Sequence, residues 1–74
     1  MTTGRVEELV RAGQAAIRRA GQGDSSQLQQ ARELFQQALN IDSNNASANH
    51  GIAIVADLQQ DWATAERHYK QALR

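Results

Sequence analysis

The chain has 74 residues, eight basic against eight acidic side chains, and neither cysteine nor proline. A chain this short holds at most one small domain, and its neutral balance speaks against a strong electrostatic footprint for nucleic acid or anionic lipid. The absence of cysteine removes disulfides and thiolate metal sites, and no stretch approaches the roughly 20 apolar residues that span a bilayer, so membrane insertion is not expected. The N-terminus, Met1 to Arg5, leads into Glu7 and Glu8 and not into an apolar run, so it does not read as a secretory signal; the compartment is unknown, with the cytoplasm as the default expectation.

Four helices are predicted in chain order. The first runs from about Val6 to Ala20, because Val6, Leu9/Val10, Gly13, Ala16/Ile17 and Ala20 recur at three- and four-residue steps. The run Gly21-Gln22-Gly23-Asp24 stops it. The second opens near Asp24 or Ser25, where Asp24 and Gln27 have the spacing of a capping box. Its buried stripe is Leu28, Ala31, Leu34/Phe35 and Ala38/Leu39. The cluster Asp42-Ser43-Asn44-Asn45 is a turn followed by an N-cap, since such side chains bond to nearby backbone. The third helix follows over roughly Ala46 to Leu58, and Asp61 caps a fourth whose stripe is Trp62, Ala65, Tyr69 and Ala72/Leu73. Short links make sequential helices antiparallel neighbours.

The chain also repeats itself. Ala31, Phe35, Ala38 and Leu39 recur 34 residues later as Ala65, Tyr69, Ala72 and Leu73, with Leu28 meeting Trp62 and Gln37 meeting Gln71. A period of this length marks stacked supersecondary units sharing one elongated core. On the first helix of each unit, Leu9-x2-Ala12-Gly13-x2-Ala16 corresponds to Asn49-x2-Ile52-Ala53-x2-Ala56. The small residues Gly13/Ala31/Ala38 and Ala53/Ala65/Ala72 let paired helices approach closely, while Phe35 and Tyr69 fill the gap toward the next unit.

With these positions the chain resembles the tetratricopeptide repeat over nearly its whole length. The resemblance implies an all-α fold of two antiparallel hairpins in a right-handed solenoid. Residues 1–74 form one module, with repeat one over about 6–42 and repeat two over about 46–74. Three departures stand out. Ala16 to Ala31 spans 15 residues where Ala56 to Ala65 spans 9, so the first hairpin carries about six extra residues around Gly21 to Ser26, as a longer helix or an enlarged loop. Ser43 stands where the family has proline. The chain ends at Arg74 without a final solvating helix, so it is expected to be a piece of a longer array, or else its copies cover each other.

In this family the function is protein–protein interaction, with the first helix of each repeat lining a concave groove for a peptide or helix. Carried to matching positions, that groove comprises Glu7, Val10, Gln14, Ile17 and Arg18, then Ser47, His50, Ile54, Asp57 and Leu58. One subfamily grips the C-terminal carboxylate of chaperones with Lys, Asn and Arg; here Val10, Gln14, His50 and Ile54 occupy those places, and that clamp is absent. The groove instead suits an apolar or amphipathic segment. The uncovered stripe Trp62, Tyr69 and Leu73 suggests self-association, as a homo-oligomer or domain-swapped dimer. A self-assembling unit is therefore the alternative function. The stretch Glu66 to Leu73 also looks like repeats of bacterial pilus-assembly and secretion accessory proteins.

No cofactor and no enzymatic activity are expected. His50, His68 and Asp57 fall short of the three or four convergent ligands of a zinc site and read as surface or groove residues. No Ser/His/Asp spacing or paired carboxylate offers catalysis. Gly21-x-Gly23 lies between helices and does not follow a strand, so it is no phosphate loop. Glu7, Glu8, Glu33 and Glu66 read as solvated faces, Arg18-Arg19 as partners of Glu or of a helix C-terminus. Gly51 costs roughly 1 kcal/mol in a helix interior and is explained by close packing. Trp62 reads first as a core anchor.

Overall fold

A computed structural model describes residues 2–73, with side chains from residue 4 onward; Met1 and Arg74 lie outside the described residues. It consists of α1 (Thr2–Gly21), α2 (Ser26–Ile41), α3 (Ala46–Leu58) and α4 (Trp62–Ala72), with no strand among the described residues. The protein is all-α, as expected. α1 packs on α2 and α3 on α4, and α3 also packs against both α2 and α1, which joins the two hairpins.

α1 starts at Thr2, a turn before the expected Val6. An Arg5–Glu8 pair at 3.6 Å, one turn apart, lies across this extension. The six extra residues of the first hairpin become mostly helix. Ala16 is followed by five helical residues where Ala56 is followed by two; Ala31 is preceded by five residues of α2 where Ala65 is preceded by three of α4. The connection itself is only one residue longer, four against three.

Both hairpin turns end their first helix in the same way. In the first, the amides of Gly23 and Asp24 donate to the carbonyls of Ala20 and Arg19; in the second, those of Gln60 and Asp61 donate to Asp57 and Ala56. This pair of bonds needs a left-handed residue just past the helix. Gly23 takes it at φ 109°, Gln60 at φ 62°.

Two of the expected caps form. The Asn45 side chain accepts from the Ala48 amide at 2.9 Å, and that of Asp61 from the Thr64 amide at 3.3 Å. The capping box expected of Asp24 and Gln27 does not. The cap position is Ser25, without a side-chain cap bond. The Asp24 carboxylate instead accepts from the Ser26 hydroxyl and, at 3.4 Å, from Gln27 Nε2. A neighbouring hydroxyl outcompetes the backbone for this carboxylate and, with the Gln27 amide, holds its pKa below the usual value.

The core is centred on Phe35, fully buried. Its ring lies against two glycines, Gly13 on α1 and Gly51 on α3. A Cβ at Gly13 would come to 2.7 Å from the ring, and one at Gly51 closer still, so neither helix could carry a side chain there without moving the ring. Val6, Leu9, Val10, Ala16, Ala31, Ala38, Leu39, Ala48, Ile52 and Val55 complete the cluster. Burying a side chain the size of Phe35 stabilises by about 1.5–3 kcal/mol. Trp62, expected as a core anchor, is 63% exposed. Its counterpart Leu28 packs against the cluster formed with α3, and among the described residues no helix follows α4 to serve Trp62 in that way.

Candidate interaction surface

α3 packs on α4 and against both helices of the first hairpin, and it is buried at Ala48, Asn49, Gly51, Ile52, Ala53, Val55 and Ala56. One stripe stays open: Ser47, His50 and Leu58 are exposed, Ile54 and Asp57 half-buried. These are the α3 residues expected in the groove. On α1, Glu7, Gln14 and Arg18 are exposed and Ile17 is half-buried. Val10 differs: it is 8% exposed and belongs to the core, because α3 closes against that side of α1.

The structure brings five of the groove residues together in two separate groups and does not gather Gln14, Ile17, Arg18, Ile54 and Leu58 into either. Glu7, Val10 and Ser47 meet Arg11 and Asn45 in an open cleft of about 350 Å³ between α1 and the start of α3. His50 and Asp57 instead meet Tyr69. The Tyr69 hydroxyl donates to Asp57 Oδ2 at 2.9 Å, and the His50 ring stands edge-on to the Tyr69 ring at 5.7 Å. The bond to Asp57, then burial and the Asp57 charge, raise the Tyr69 pKa above its ordinary 10.0. Tyr69 is thus a groove neighbour, while Trp62 and Leu73 stand open at 63% and 87% exposure. Ile54 lies on the α3 stripe between His50 and Asp57.

A polar cluster that periodicity does not reveal joins α3 and the turn before it to α4. Asn49 is 1% exposed, yet every polar atom it buries is paired. Its Nδ2 donates to the carbonyls of Ser43 at 3.3 Å and Asn45 at 3.1 Å, which leaves Oδ1 facing His68 Nδ1 at 2.9 Å. That geometry puts the His68 proton on Nδ1. Burial, then the positive charges of Arg67 and Arg32, lower the His68 pKa below 6.5. The one sequence signal was Asn49 itself, an amide on the inward side of an otherwise apolar helix. Arg32 is the other missed residue. From α2 it reaches Gln59 Oε1 at 2.8 Å and Asp61 Oδ2 at 3.3 Å, joining the first hairpin to the turn of the second.

Among the described residues no group of three or more His, Cys, Asp or Glu could hold a metal ion, and no helix is long and apolar enough to cross a membrane. Arg18 and Arg19 lie in the last turn of α1, and Arg19 Nε donates to Gln27 Oε1 at 3.1 Å rather than pairing with a Glu. Set against protein-family profiles, curated proteins and solved structures, the chain finds no significant match in any of the three.

Proposed function

We propose that the chain is a tetratricopeptide-like binding module whose α1–α3 face holds a peptide or helix of another protein. One observation carries this reading. α3, the helix in contact with all three others, leaves a single stripe open, and that stripe bears Ile54 and the 55% exposed Leu58 among polar neighbours. Apolar side chains at i, i+4 steps flanked by His50 and Asp57 suit an amphipathic segment, with apolar contacts supplying affinity and the polar pair fixing direction. The 34-residue period and the seating of Phe35 between the hairpins support the repeat reading.

The test is selection of binders from a displayed peptide library on the 74-residue chain. Binders should lose affinity for Ile54→Glu, whose helical dichroism stays unchanged, and keep it for Leu73→Glu. Binders that tolerate Ile54→Glu and fail on changes in α2 or α4 would place the site elsewhere.

A further inference from the structure

The molecule contains one packing surface twice, once covered and once open. In the first hairpin Phe35 is fully buried, Leu39 is 8% exposed, and Leu28 packs against the same cluster. Their counterparts 34 residues on are Tyr69, half-buried, Leu73, 87% exposed, and Trp62, 63% exposed. The cover of the first surface is α3, which contributes Ala48, Ile52 and Val55 to the cluster and sets Gly51 against the Phe35 ring. Gly51 is essential to that fit, because a methyl at its place would enter the ring.

We propose that the outer face of α4 receives an amphipathic helix of another protein, patterned like α3: a small residue, then a glycine three positions on, with aliphatic residues beside and one turn beyond it. A second copy stacked head to tail is a poor cover. In the alignment that matches Leu9 with Asn49 and Ala16 with Ala56, α1 presents Glu8 where α3 has Ala48, and Arg11 where α3 has Gly51. Both are exposed, charged and too large for the seat beside Tyr69.

Charge adds a second criterion. Arg32 reaches forward to Asp61, just past the end of the covering α3. The counterpart of Arg32 is Glu66, which pairs at 3.0 Å only with the exposed Lys70 of its own helix. The incoming helix therefore carries a lysine or arginine three residues past its C-terminus, where α3 is followed by the acidic Asp61. The Tyr69 hydroxyl, already donating to Asp57, asks nothing of the partner.

The experiment uses a synthetic peptide of residues 45–61 carrying Asp61→Lys, titrated into the 74-residue chain. The peptide has no tryptophan and the chain has one, so emission reports Trp62 alone. A saturable blue shift is expected, weak because a short isolated helix is marginal in water. Gly51→Leu in the peptide should weaken binding about tenfold or more, as overpacking does. Leu73→Glu in the chain should weaken it by a similar factor with unchanged helical dichroism. Restoring Asp61 in the peptide should weaken it about two- to fivefold, and Glu66→Lys in the chain should reverse that preference. Three results overturn the proposal: binding that leaves Trp62 emission unmoved, equal binding of the Gly51→Leu peptide, or a chain that sediments as a dimer with Trp62 already buried.

Discussion

The two hairpins hold the same aromatic position in two states. Phe35 is sealed between Gly13 and Gly51, with Val10 and Ile17 in its apolar cluster. At the corresponding places around Tyr69 stand His50 and Asp57, one edge-on to the ring and one bonded to its hydroxyl. What separates them is the helix stacked on top. Phe35 is closed in by its own hairpin at Gly13 and by the second hairpin at Gly51, whereas among the described residues no further helix covers Tyr69, whose neighbours His50 and Asp57 are polar. The turns differ in the same spirit: the left-handed place is glycine at Gly23 and a strained glutamine at Gln60.

The sharpest way to break this comparison is to truncate both rings. Phe35→Ala should cost about 3–5 kcal/mol in urea unfolding, as for other fully buried aromatics. Tyr69→Ala should cost clearly less, and equal losses would mean that the outer hairpin seals its own core. Next comes Gly51→Ala. Alanine gains roughly 1 kcal/mol of helix propensity, yet displacing the Phe35 ring should outweigh it and leave a net loss on the order of 1–2 kcal/mol. A gain in thermal stability would show that the inter-hairpin contact is loose. Smaller still, Gln60→Gly should stabilise by up to about 1 kcal/mol by relieving the left-handed backbone, and Gly23→Ala should destabilise by a similar amount.

The last contrast is in pH. The position that is Leu9 in the first hairpin is Asn49 in the second, and only Asn49 brings a histidine into the packing. Because the folded-state pKa of His68 lies below 6.5, the unfolded chain takes up the proton first as pH falls. Stability should therefore decline below pH 6.5 until the folded state also protonates. The charges facing His68 are Arg67 on α4 and Arg32 on α2. His68→Gln keeps a donor for Asn49 and should flatten this step in urea midpoints. A further decline at more acid pH, as Asp24 and Asp61 lose their bonded carboxylate forms, should persist in the variant, since both have pKa values below 3.8.

What was legible in the sequence is what is decided over a few residues. The Asn45 and Asp61 caps each bond three residues ahead, and they set the starts of α3 and α4 where the polar clusters placed them. The apolar stripes of α1 and α2 follow from helical period alone. Asp24 failed because a competing hydroxyl at Ser26 lies equally near. Val10 is buried as the stripe of α1 implied but not open as the groove reading required, and Trp62 is exposed and no core anchor, because exposure at both depends on where another helix lies. The Arg32–Asp61 and Asn49–His68 contacts join residues 29 and 19 apart, a distance over which no periodicity speaks. On the candidate surface, the α3 stripe was legible as the face left over after burial, whereas Tyr69 joining His50 and Asp57 required the packing of α4.

The seat of Phe35 also sets a clock. A half-turn of its ring sweeps the ring edges through space held by the backbones of α1 and α3. The flip can proceed only while those helices stand apart. Since the chain has a single phenylalanine, exchange between the two edges of that ring is one isolated signal, and its rate counts how often the two hairpins breathe.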